Sequence, residues 1–204
     1  MTELILALDT PRGADALRLL DQLPGLQWAK VGSILMTREG PDFVRQLTGR
    51  GLKIFLDLKW HDIPNTVAGA VTAARELGVS MATVHTLGGS AMLEAAAVAA
   101  GAEVALVGVT VLTSHDSAGY SRALGRTEVD LGNEVERQAL VAVAAGLQGI
   151  VCSPQEVSLL RRRLGPEPLI VVPGIRRRSG PPGTVGGSTS RSIPRTRPRS
   201  RSAS

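Results

Sequence analysis

Short apolar runs of strand length alternate along the chain with longer stretches in which apolar residues recur every three or four positions. The runs are Leu4 to Asp9, Trp28 to Ile34, Lys53 to Lys59, Ala82 to Thr86, Val104 to Leu112, Gly149 to Ser153 and Leu169 to Pro173. Between them lie helix candidates at Ala14 to Gln22, Pro41 to Thr48, Thr66 to Leu77, Ala91 to Ala100, Asn133 to Ala145 and Pro154 to Leu164. Strand and amphipathic helix repeating every 20 to 30 residues or so is the pattern of βα units that feed a parallel sheet. Gly78, Gly101, Gly146 and Gly165 each follow a helical run where a left-handed residue ends the helix, and Asn65 or Thr66 is placed to cap the third helix. The fold class is therefore α/β, a (β/α)8 TIM barrel that is incomplete, with about seven parallel strands.

The pattern stops abruptly after Arg176. Residues 177–204 hold seven Arg, seven Ser, four Pro and four Gly, with Val185, Ile193 and Ala203 as the aliphatic residues. Such a segment buries too little apolar surface to offset an ordering entropy of about 1 to 2 kcal/mol per residue, which predicts a disordered tail. The expected organisation is a barrel domain at 1–176 followed by a low-complexity Arg/Ser/Pro/Gly tail at 177–204.

The tail also explains the charge. The chain carries +5 formally, but seven arginines and no acid lie beyond residue 176, leaving 16 basic against 18 acidic groups in the body. A basic tail on a near-neutral body says little about the body's partner, and no nucleic acid is expected to bind it. The single cysteine, Cys152, excludes an intramolecular disulfide and sits in a strand-like run, Gly149 to Ser153. The apolar run Leu4 to Leu8 is too short for a signal peptide or a membrane span, so no membrane association and a cytoplasmic location are expected.

The densest polar cluster in an apolar neighbourhood is Asp57-Leu-Lys-Trp-His-Asp-Ile-Pro-Asn-Thr66, directly after Lys53-Ile-Phe-Leu56. Strand positions two apart share a face, so Asp57 and Lys59 point into the barrel mouth while Leu56 and Leu58 point toward the helices. Barrel sites lie at the C-terminal ends of the strands, and Asp62 follows in the loop. An exposed Asp57–Lys59 pair would contribute 0 to about 1 kcal/mol, whereas a pair closing the inner face of an apolar strand points to function. Asp9 ends the first strand and Lys30 lies inside the second, where an uncompensated ammonium would be expensive. Asp9, Lys30, Asp57, Lys59 and Asp62 thus place three carboxylates and two ammoniums around one opening. The interleaved lysines supply the positive charge that a metal would bring, and His61 and His85 lack a second His or Cys at ligand spacing, so no metal is expected. Gly-x-Gly-x-x-Gly, P-loop and Gly-x-Ser-x-Gly patterns are absent from the sequence.

This ten-residue cluster resembles the signature of bacterial orotidine 5'-phosphate decarboxylases. Leu6-Ala-Leu-Asp9, Lys30-Val-Gly32, Gly40-Pro41, Val84-His85 with Gly88-Gly89, Val109-Thr-Val-Leu-Thr-Ser114 and Val172-Pro-Gly-Ile-Arg176 follow in that family's order and spacing, over about 1–176. The resemblance implies decarboxylation of orotidine 5'-monophosphate to UMP in pyrimidine biosynthesis, without metal or cofactor. By the same resemblance Lys59 is the proton donor, Asp57 lies against the departing carboxylate, and Asp62 completes the charged array with Lys30. Asp9 and Lys30 match ribose contacts, Thr113 lies in the loop beside the base, and Arg176 matches a ligand-contacting arginine. It further implies a homodimer in which Asp62, Ile63 and Thr66 reach into the neighbour's site.

Beyond Arg176 the family pattern continues with a glutamine-bearing phosphate loop and an eighth strand ending in Gly-Arg, neither of which stands here. The composition of 177–204 suggests a shifted reading frame, and the expectation is a barrel with unpaired edges on strands one and seven and weak or absent activity. Two other readings are an Mg²⁺-dependent sugar-phosphate decarboxylase or aldolase of the same superfamily, and an inactive barrel whose basic tail binds nucleic acid.

Overall fold

The computed structural model describes residues 2–175 and the backbone of Thr189–Ser192. Seven parallel strands, β1 (Leu4–Ala7), β2 (Trp28–Gly32), β3 (Lys53–Trp60), β4 (Met81–His85), β5 (Ala105–Val109), β6 (Gly149–Val151) and β7 (Leu169–Ile175), pair in sequence order. The sequence-based strands match these within a few residues.

Alternation along the strands builds two apolar layers. Ile5, Trp28, Phe55, Met81, Val107 and Val171 fill the barrel interior. The intervening residues, among them Leu6, Ala29, Val31, Ile54 and Leu56, face outward against the surrounding helices. These are α1 (Gly13–Asp21), α2 (Ser33–Gly49), α3 (Pro64–Glu76), α4 (Gly89–Ala100), α5 (Ser117–Ala123), α6 (Leu131–Ala144) and α7 (Val157–Leu164). The helical run of α2 is broken at Gly40, whose φ of 71° no helix tolerates, and Pro41 starts its second half. Gly149 is required by packing, because a Cβ there would lie 2.3 Å from the backbone oxygen of Leu169 on β7. Cys152 is buried, and desolvation, with Glu156 adding to it, pushes its thiol up to about 12, which makes it an inert filler of the core.

Three expectations change. The third helix is not capped by Asn65 or Thr66. Ile63 occupies the cap position and Pro64 follows it, because proline's preset φ and missing N–H suit the first helical turn. The segment between β5 and α6, left without an element by periodicity, contains α5, whose start is capped by Asp116 accepting the N–H of Gly119 at 2.6 Å. The edges of β1 and β7 are not left unpaired. The backbone of Thr189–Ser192 forms β8, antiparallel to both, and closes the ring. Two facing rows of backbone N–H and C=O groups reward any short strand that completes their hydrogen bonds. The rest of the expected tail lies outside the described residues.

Candidate active site

The inward positions of the first four strands change from apolar to polar toward the C-terminal ends. On β2 Trp28 is followed inward by Lys30, on β3 Phe55 by Asp57, and on β4 Met81 by Thr83 and then His85. The register sets Lys30 beside Phe55 and Gly32 beside Asp57, so Lys30 and Asp57 meet one layer above the apolar plug.

Their side chains form one alternating array. The Lys30 ammonium lies 3.2 Å from Asp9 Oδ1 and 3.5 Å from Asp57 Oδ2, with the lysine side chain 10% exposed. The Lys59 ammonium lies 2.7 Å from Asp57 Oδ1. Asp57 thus sits between two cations, 15% exposed, and accepts a third bond from the Thr83 hydroxyl at 3.2 Å. Burying such charges is tolerable only because each has an opposite partner and a hydrogen bond.

Lys59 is aimed by its backbone. The β3–β4 register runs Leu56 to Ala82 and then Trp60 to Val84, so four residues of β3 advance against two of β4. The extra length is a bulge, in which Lys59 has a φ of 53°, the one positive value for a non-glycine residue among those described. A left-handed lysine costs roughly 1 to 2 kcal/mol, and the bond from its N–H to Thr83 Oγ1 at 2.8 Å helps hold it there.

Asp62, Ile63 and Thr66 stand on the exposed lip after β3 rather than inside the array. Asp62 accepts the N–H of Ile63 at 2.6 Å, and Ile63 is 66% exposed. His61 to Pro64, with Leu87 and Gly88, wall an open depression of about 500 Å³. Thr113 lies exposed in the turn after β5, at the same end of the barrel. Arg176 lies outside the described residues. No cluster of three or more His, Cys, Asp or Glu side chains placed to hold a metal occurs among the described residues, and none of their helices is long and apolar enough to cross a membrane.

Sequence patterns matching the description "Orotidine 5'-phosphate decarboxylase / HUMPS family" extend over residues 2–197. The chain belongs to that family. The match runs past residue 176 into the Arg/Ser segment, farther than the motifs alone reach. Among its relatives is the orotidine 5'-phosphate decarboxylase of Halorhodospira halophila, 49% identical over 181 residues that cover 85% of this chain and 74% of that one. That of Dichelobacter nodosus is 49% identical over 179 residues, 85% of this chain and 76% of the relative. A solved structure, the orotidine 5'-phosphate decarboxylase of Lactobacillus acidophilus, superposes with a TM-score of 0.81 at 36% identity, covering 86% of this chain and 82% of the other.

Two features of this family member carry no signal in the sequence motifs. Thr83 is a β4 residue whose place beneath Lys59 and Asp57 follows from strand register. Behind the ends of β4 and β5, Glu134 and Gln138 of α6 form a buried network with Tyr120 of α5 and Thr86. Glu134 is 5% exposed, and Arg137, with help from Gln138 and Arg126, holds its carboxyl at about 2. A glutamate and glutamine four apart in an amphipathic helix would ordinarily be read as its solvent face.

Proposed function

We propose that the barrel at 1–176 is built to decarboxylate orotidine 5'-monophosphate to UMP and carbon dioxide, without metal or cofactor. The observation that carries this reading is the array itself, in which Asp57 lies between the Lys30 and Lys59 ammoniums at the inner mouth. Family membership and the decarboxylases among the relatives support it.

In the reaction the bond between C6 of the pyrimidine and the carboxylate carbon breaks, and its electron pair remains on C6. Lys59, bulged into the mouth, gives C6 a proton from Nζ and stabilises the developing negative charge. Asp57 faces the departing carboxylate. Two like charges about 4 Å apart repel by roughly 4 kcal/mol at an effective dielectric of 20, an upper guide to how much that crowding favours loss of carbon dioxide. Asp9 and Lys30 hold the ribose hydroxyls, Thr113 lies beside the base, and Arg176 contacts the ligand beyond β7.

The exposed lip of Asp62, Ile63 and Thr66 suits a homodimer in which these residues complete the neighbour's site, in a cytoplasmic enzyme of pyrimidine biosynthesis. Magnesium-dependent chemistry is the weaker reading, because Lys30 stands between Asp9 and Asp57 where two carboxylates would otherwise share a cation. The nucleic-acid reading rests on the tail alone. A tail without the glutamine loop weakens remote phosphate binding, so turnover well below that of the relatives is expected.

The test is loss of orotidine 5'-monophosphate absorbance with purified protein, beside Lys59→Ala. Slow turnover that vanishes in the variant supports the reading. Turnover that persists in Lys59→Ala removes Lys59 from its role.

A further inference from the structure

His85 takes no part in the charged array, yet it occupies the next inward position of β4 after Met81 and Thr83, with Val109 of β5 as its register partner. Its imidazole is half-buried at the rim. Nδ1 accepts the N–H of Leu87 at 3.3 Å, which fixes the neutral ring with its proton on Nε2. Its face is stacked on His61, with ring centroids 5.5 Å apart and planes 21° from parallel.

His61 belongs to the loop that follows Lys59 and immediately precedes Asp62 and Ile63. The two walls of the depression at the lip are His61 to Pro64 from the β3 side and Leu87 with Gly88 from the β4 side. The stacked pair spans them. Asp62 uses its carboxylate on its own neighbour, Ile63, so the loop gains no bond to β4 from that side chain.

We propose that His85 is a positioning residue: held by Leu87 and stacked on His61, it sets where the Asp62–Ile63 lip stands relative to Lys59. The proposal extends the decarboxylase reading and rests on it for the role of that lip. Burial, with His61 and Lys59 nearby, lowers the His85 pKa, which favours the neutral ring that the Leu87 bond requires. The groups facing it are Lys59 from β3, His61 from the loop after it, and Thr83 and Val109 from β4 and β5, while Glu134 and Gln138 lie behind Thr86. Protonation of Nδ1 would set two donors against each other, so the lip should loosen in acid.

Two halves of the device are separable. His85→Asn keeps an oxygen that can accept the Leu87 N–H but removes the ring, and His85→Phe keeps the ring but removes the acceptor. His61→Ala removes the other ring from an exposed position and decides the matter if a His85 variant does not fold. Amide hydrogen exchange at 61–63 in the full chain, followed by mass spectrometry and expressed relative to the intrinsic exchange rate at each pH, should quicken about tenfold in His85→Asn and His61→Ala, and in wild type on acidification. His85→Phe should show intermediate exchange with its acid response lost. Imidazole nitrogen shifts should place the His85 proton on Nε2. UMP affinity, measured by calorimetry, should fall with the same ranking. Unchanged exchange in His61→Ala, or a His85 that carries its proton on Nδ1, overturns the proposal. A wild-type chain that binds no UMP overturns the decarboxylase reading instead, and the exchange data still decide the role of His85.

Discussion

Thr83 stands directly beneath Lys59: its hydroxyl accepts the lysine's backbone N–H at 2.8 Å and donates to Asp57 Oδ1 at 3.2 Å. One small side chain therefore fixes both the strained backbone of the proposed proton donor and the carboxylate that holds its ammonium. Replacing it by valine keeps the volume and removes both bonds. Thr83→Val should lower kcat by roughly tenfold to a hundredfold with less effect on KM, as expected where geometry rather than binding is lost. Steady-state kinetics beside Thr83→Ser, which restores the hydroxyl, checks this.

Lys30 is the nearly buried cation between two carboxylates. Lys30→Met removes the cation that bridges Asp9 and Asp57, leaving Lys59 as the ammonium beside Asp57, and should destabilise the fold by roughly 1 to 3 kcal/mol. Adding Asp57→Asn to Lys30→Met should recover part of that loss. Urea denaturation of the two single variants and the double variant measures the coupling, and simple additivity would show that the pair is not coupled.

Glu134 titrates at about 2 in the fold against the ordinary 4.5, chiefly because Arg137 donates to it. The unfolded chain takes up the proton first as pH falls, so stability from this group is complete above pH 4.5 and is lost as pH falls toward 2. Allowing for the exposure of Arg137 and Arg126, the contribution at neutral pH is on the order of 2 kcal/mol. Glu134→Gln should therefore be less stable than wild type at pH 7, with the gap closing toward pH 2, as read from denaturation midpoints.

Gly149 lies where β6 and β7 approach too closely for a side chain. Gly149→Ala forces a Cβ against the Leu169 carbonyl, a backbone atom that no rotamer change relieves. A loss of about 2 to 4 kcal/mol is expected, measured by thermal unfolding.

The Arg/Ser segment closes the ring with an antiparallel strand after seven parallel ones. Joining 1–175 to the matching C-terminal part of the Halorhodospira halophila decarboxylase should raise turnover by at least about a hundredfold, if remote phosphate contacts supply transition-state binding. No gain would locate the defect in the barrel itself.

The features legible in the sequence were those with a local period. Alternation put Asp57 on the inner face and Leu56 on the outer, and the structure packs them so, because the side-chain period of a strand is fixed by its own backbone. Lys30 inside an apolar run was legible as a buried charge needing partners, since desolvation penalises it in any fold. What tertiary structure alone decided were partners far apart in the chain. Thr83 meets Lys59 across 24 residues and Thr86 meets Gln138 across 52, by register and helix docking that no local pattern encodes. The bulge that turns Lys59 into the mouth, the His61–His85 stack and the closing of the ring by Thr189–Ser192 belong to the same class. Each depends on where another strand lies, and that is settled only when the whole barrel packs.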